Sequence, residues 1–96
     1  HNLVLSGEDG PAAVMYCPRT GIRMELETSL EGLQLYTAGF LSERQGKGGV
    51  LYGPRHAVCL ETQHFPDAIH HPEFPSPVLQ AGEVYRQRTV YRFSRC

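Results

Sequence analysis

The chain has 96 residues, nine of them Lys or Arg and ten Asp or Glu, with five His and three Cys. A length of this order allows at most one domain with a modest core, burying roughly 60 to 65% of the surface of its unfolded chain. Its balanced charge offers no strong field to phosphates or anionic headgroups, and no apolar run approaches the roughly 18 residues that span a bilayer, so neither nucleic acid nor membrane is expected as a partner.

The start, "HNLVLSGEDG", lacks the charged region and apolar stretch of a secretory signal, and no initiator Met precedes it. The chain is therefore expected to be cytoplasmic and to be a piece of a longer polypeptide. Ala12 to Cys17 is apolar on both faces of an extended chain, and Pro18-Arg19-Thr20-Gly21 reads as a hairpin turn. Ile22 to Thr28, "IRMELET", follows with Ile22, Met24, Leu26 and Thr28 alternating against Arg23, Glu25 and Glu27, the period of two of a half-buried strand. Ser29-Leu30-Glu31-Gly32 makes a second turn into a third strand of this series, Leu33 to Thr37. Its Leu33, Leu35 and Thr37 face one way, and Gln34 and Tyr36 the other.

The glycine-rich run Gly39 to Gly53, with polar "ERQGKGG" inside it, reads as an exposed loop. After it, "AVCLE" is a strand ending at Glu61. His64 to Pro77 carries Pro66, Pro72, Pro75 and Pro77; proline has no backbone donor, so this run is an ordered connection with a short turn of helix near Asp67 to His70. Glu83 to Ser94 reads as one long strand, with Tyr85, Thr89, Tyr91 and Phe93 on one face and Arg86, Arg88 and Arg92 on the other. These arginines are expected to be solvated or carboxylate-paired rather than an anion-binding stripe. The whole reads as all-β, built of antiparallel strands with little helix.

Cys17, Cys59 and Cys96 are odd in number and widely spaced, without a C-x-x-C pair, and suit reduced thiols; Cys17 and Cys59, inside apolar strands, are expected to be buried small hydrophobes. His56, His64, His70 and His71 cluster, but adjacent His70 and His71 point apart and no carboxylate joins them at helical spacing, so no metal site is expected. No serine occupies a G-x-S-x-G elbow, and "GKGG" lacks the spacing and hydroxyl of a phosphate loop. What remains is Glu61, where an apolar strand meets a structured loop, with Gln34 and the aromatics Tyr36, Phe40 and Phe65. A carboxylate and an amide hydrogen-bond hydroxyls, and aromatic faces pack against sugar C–H groups, so this composition suits a polyhydroxylated ligand.

The segments "HNLVL", "GLQLYTAGF", "CLETQHFPDAIHHPEFPSPVLQAGEVY" and "TVYRFS" resemble the carboxy-terminal part of the aldose 1-epimerases, the galactose mutarotases, over essentially all 96 residues. The resemblance implies that residues 1–96 form the carboxy-terminal segment of one mutarotase-like β-supersandwich domain, incomplete alone and open to self-association through unpaired sheet edges. It matches Glu61 to the family's catalytic base, which takes the proton of the C1 hydroxyl, and Gln34 to a glutamine that binds sugar hydroxyls. Tyr36 and Phe40 are the expected aromatic contacts. The family's sugar-binding aspartate stands just before the match to His1-Asn2, and its general-acid histidine lies farther upstream, both outside these residues. Ala38-Gly39 stands where many relatives have Gly-Asn, and His70 where asparagine is common.

The implied substrate is an aldohexose such as galactose or glucose, converted between anomers by proton transfer without metal or organic cofactor. Two other readings stay open: a non-catalytic carbohydrate-binding or regulatory protein on the same fold, and a truncated interaction module.

Overall fold

The computed structural model describes all 96 residues. Eight strands form in chain order: β1 (Asn2–Val4), β2 (Ala13–Cys17), β3 (Ile22–Thr28), β4 (Gly32–Tyr36), β5 (Arg44–Gln45), β6 (Leu51–Tyr52), β7 (Cys59–Gln63) and β8 (Thr89–Arg95). There is no α-helix, only single 3-10 turns at Lys47–Gly49 and Ala68–His70. No helix is long and apolar enough to cross a membrane.

All pairing is antiparallel. One sheet has the order β1-β4-β7, a second β2-β3-β8, and β5 and β6 form a small separate hairpin within the glycine-rich loop. The turn Pro18 to Gly21 closes β2 onto β3 as expected, with the Gly21 N–H donating to the Cys17 carbonyl at 2.8 Å. Gly21 has φ +72°, and a Cβ there would lie 2.7 Å from the Cys96 carbonyl oxygen, so only glycine fits the corner.

The second turn behaves differently from the serial arrangement expected. Ser29 to Glu31 does not fold β4 back alongside β3; it carries the chain across to the facing sheet. Backbone donors set free there are taken up locally: the Leu30 N–H by Thr28 Oγ1 at 3.1 Å, and the Ser29 N–H by the Arg88 carbonyl at 3.0 Å.

The two sheets pack through the apolar parity of their strands. Met24 and Leu26 of β3 and Leu33 of β4 are buried, Leu26 and Leu33 completely. Polar ties cross the same gap: the Thr62 and Thr89 hydroxyls meet at 2.8 Å, and the Tyr91 hydroxyl donates to the Leu60 carbonyl at 2.7 Å. The core is thin. A radius of gyration of 16.7 Å exceeds the roughly 13 Å of a compact chain of this length.

Three expectations need correction. The strand expected to end at Glu61 is β7, which begins only at Cys59 and continues to Gln63, because its ladder with β4 extends to the Gly32–Gln63 pair. The last strand begins at Thr89, not Glu83, because its partner β3 ends at the Thr28–Thr89 pair; just beyond it Arg88 is still held by Ser29, and residues 83–87 have no ladder to join. The cysteines are exposed rather than buried. Cys59 shares the outward parity of Glu61 and Gln63, and Cys17 stands at the hairpin end beside half-exposed Ile22. The polar side chain of Thr20, then its backbone, hold the Cys17 thiol below its ordinary value.

The outer face of the second sheet carries a charge network. Arg92 Nη1 lies 2.8 Å from Glu27 Oε1 and 3.7 Å from Glu25 Oε2, and Arg23 Nη2 lies 2.6 Å from Glu25 Oε1, so Arg92 is carboxylate-paired. The hydrogen bond from Arg92, then its charge, holds the Glu27 carboxyl below its ordinary value of 4.5. A depressed folded-state value makes this contribution to stability complete above the unfolded value and lost as pH falls through the folded one. Melting temperatures measured from pH 6 down to about pH 3 should therefore fall less steeply in Arg92→Ala than in the unaltered chain; parallel curves would remove this pair from the acid response.

Candidate functional site

The outward face of the first sheet gathers the candidate residues. With Leu33 turned into the core, the period of two puts Gln34 on the outside, and the same holds for Glu61 between Leu60 and Thr62. The register then pairs Asn2 with Gln34 and Gln34 with Glu61, so three polar side chains form a row across β1, β4 and β7. The next row contains Val4, Gly32 and Gln63, and Tyr36 pairs with Cys59 on the other side of the Gln34–Glu61 row.

Amide hydrogen bonds organise the face. Gln63 Nε2 donates to Asn2 Oδ1 at 2.8 Å and to Gln34 Oε1 at 3.3 Å. Gln34 is half-buried, whereas Glu61 is exposed and open to an incoming hydroxyl. Cross-strand neighbours of this kind have Cβ atoms about 5 Å apart, close enough for carboxylate and amide to engage one small ligand together.

Gly32 makes room for the network. A Cβ there would lie 2.7 Å from Asn2 Oδ1, 2.9 Å from the Gln63 carbonyl and 3.2 Å from Phe65 Cδ1. Phe65 is braced edge-on by Phe74 at 5.2 Å between centroids, and Phe74 stacks on His71 at 4.9 Å. The proline-rich loop thus folds back under the end of β7. Gly32→Ala is expected to destabilise the chain by about 1 to 3 kcal/mol, because neither the ladder carbonyl nor the braced ring can yield. Urea unfolding midpoints check this, and an unchanged midpoint would count against tight packing at this point.

Tyr36 shares the face of Gln34 and is partly exposed. Phe40 lies beyond β4 in the loop, fully exposed, and lines a shallow depression of about 400 Å³ with Tyr36, His1 and Arg55. The structure brings Gln34 and Glu61 side by side and Tyr36 onto their face; it sets Phe40 in that neighbouring depression. Asn2 and Gln63, which complete the polar face, were not singled out from the sequence. The alternation Glu61-Thr62-Gln63 was the available signal for Gln63, since residues two apart in a strand share a face.

The histidines have other partners. His64 Nδ1 lies 2.8 Å from Glu31 Oε1, His70 Nδ1 meets Asp67, His71 Nδ1 lies 3.0 Å from Glu73 Oε1, and His56 Nδ1 accepts the Gly53 N–H at 3.0 Å. No group of three or more His, Cys, Asp and Glu is arranged to hold a metal ion.

Residues 1–92 match the sequence model of the aldose 1-epimerase family. The chain is 38% identical to galactose mutarotase of Homo sapiens over 98% of its length, and 33% identical to aldose 1-epimerase of Haemophilus influenzae over 86%. These alignments cover only 28% and 25% of the two relatives. The crystal structure of an aldose epimerase homologue from C. elegans superposes with a TM-score of 0.84 at 29% identity, over 98% of this chain and 29% of that protein. With the family's sequence model matching residues 1–92 and relatives aligned along nearly its whole length, the chain belongs to the aldose 1-epimerase family.

Proposed function

We propose that the complete protein interconverts the α and β anomers of an aldohexose such as galactose or glucose, with Glu61 as the base. The observation that supports this reading is the register pairing Gln34 with Glu61, a carboxylate beside an amide on one exposed sheet face. In the forward step the Glu61 carboxylate takes the proton of the C1 hydroxyl while an acid delivers another to the ring oxygen. The C1–O5 bond breaks to give the open-chain aldehyde, rotation about C1–C2 exposes the other carbonyl face, and closure with the protons returned gives the second anomer. Protons are exchanged and the C1–O5 bond opens and re-forms with no change in the oxidation level of the sugar, so the chemistry needs no electron acceptor.

Gln34 binds sugar hydroxyls in this scheme, and Tyr36 and Phe40 pack against the C–H face of the ring. The acid comes from outside these 96 residues. Four of the five histidines are already engaged with Gly53, Glu31, Asp67 or Glu73, which supports an external source.

Polarimetry of freshly dissolved α-D-galactose and α-D-glucose tests the reading, using the complete natural chain beside Glu61→Gln. Accelerated decay of optical rotation that disappears in the variant supports it; a protein that binds sugar without accelerating the decay is a carbohydrate-binding protein instead.

A further inference from the structure

The geometry points to Gln63 as a positioning residue that sets the orientation of the Gln34 amide, an assignment that rests on the sugar-binding role proposed for Gln34. A primary amide presents an acceptor on one side and two donors on the other, and a half-turn about its last side-chain bond exchanges them. Gln63 spends both Nε2 hydrogens on neighbours, one to Asn2 Oδ1 at 2.8 Å and one to Gln34 Oε1 at 3.3 Å. With its oxygen committed, Gln34 keeps its two Nε2 hydrogens for other acceptors. Beside Glu61, which when ionised only accepts, the face therefore carries one acceptor and one donor.

That polarity suits a sugar. One hydroxyl gives its hydrogen to the Glu61 carboxylate, and a neighbouring hydroxyl oxygen accepts from Gln34 Nε2. With Gln34 turned over, two acceptors would stand side by side, and the second hydroxyl oxygen would have no donor. Gln63 cannot substitute as that donor, because both its hydrogens are in use. Its position is fixed in turn by the ladder: it pairs with Gly32, the one residue whose missing Cβ leaves space for Asn2 Oδ1.

Two replacements separate orientation from packing. Gln63→Met removes both donors and lets Gln34 adopt either orientation, so about half the molecules remain competent and KM should rise about two- to threefold. Gln63→Glu preserves size and polarity but only accepts when ionised, so it draws the Gln34 amide to the wrong orientation through a charge-assisted hydrogen bond. The competent fraction should fall to roughly one in ten to one in a hundred, and KM should rise about ten- to a hundredfold. In both variants kcat should stay within about threefold of the unaltered enzyme when measured well above the acid limb of its pH profile, since Glu61 remains.

Anomerisation kinetics and D-galactose calorimetry on the complete chain are the measurements. The supporting result is KM in the order Gln63→Glu above Gln63→Met above unaltered, with calorimetric affinities in the inverse order. A merely structural glutamine predicts the opposite, with the isosteric polar replacement the milder one, and equal or reversed effects overturn the assignment. If either variant does not fold, side-chain amide NMR of the unaltered protein decides: added D-galactose should shift the Gln34 NH2 pair and leave the Gln63 pair in place, and the reverse pattern overturns it. An enzyme indifferent to Glu61→Gln would remove the base assignment while leaving the calorimetric and NMR results to be read independently.

Discussion

Glu61→Gln is expected to lower kcat for anomerisation about 10²- to 10⁴-fold with KM changed little. That is the range a positioned general base contributes, and the amide keeps size and hydrogen bonding while losing the ability to take a proton. Glu61 stands beside Gln34 on an exposed face, so the change removes proton acceptance without opening a cavity or stranding a buried partner. Glu61→Asp is the informative companion. It restores a carboxylate but withdraws it by one methylene, and displacements of about 1 Å at a reacting centre can cost about 10²-fold. Polarimetric rates at several galactose concentrations separate the two constants. A Glu61→Gln enzyme within about threefold of the unaltered one, with fold verified by circular dichroism, would assign the base elsewhere.

Leu26→Ala carries the largest expected effect on stability, about 2 to 5 kcal/mol, out of a total that for most domains is about 5 to 15 kcal/mol. Leu26 is completely buried at the centre of the second sheet, paired with Ala13 on one side and Tyr91 on the other. Tyr91 also donates to the Leu60 carbonyl across the gap between the sheets, so a void at Leu26 undermines the support of β7, the strand that carries Glu61. Only Leu26 and Leu33 are fully buried large side chains, and so thin a core has few neighbours able to collapse into the space. Urea unfolding should place Leu26→Ala far below the unaltered chain, while Val14→Ala, at a half-exposed position, changes little. Equal midpoints for the two variants would contradict the two-sheet core.

Much of the fold was legible because strand parity is a local property. Ile22 to Thr28 forms a strand with its expected faces, Pro18 to Gly21 turns as its composition demands, and a short turn of helix does occupy Ala68–His70 in the proline-rich loop. The arginine stripe resolves at Arg92 into ion pairs with Glu25 and Glu27. Failures came where a strand's extent or burial depends on a distant partner. Glu83 to Gln87 alternates like a strand but has no ladder to join, because β3 has ended. Cys59 lies among apolar residues, but its parity is that of Glu61, and the first sheet turns that face outward.

The site divides the same way. By itself the sequence determined that Gln34 and Tyr36 face away from Leu33 and Leu35, since side-chain period acts between neighbours in the chain, but the strand expected to end at Glu61 runs on to Gln63 and carries Glu61 at its middle. Its resemblance to the aldose 1-epimerases reached the family, which the comparisons establish over residues 1–92. Only the tertiary structure decided that Gln34 stands opposite Glu61, that Asn2 completes their row, and that Gln63 ties two amides together above Gly32. Those relations depend on the register of three strands distant in sequence, and register is set by which faces are buried together when the sheets pack.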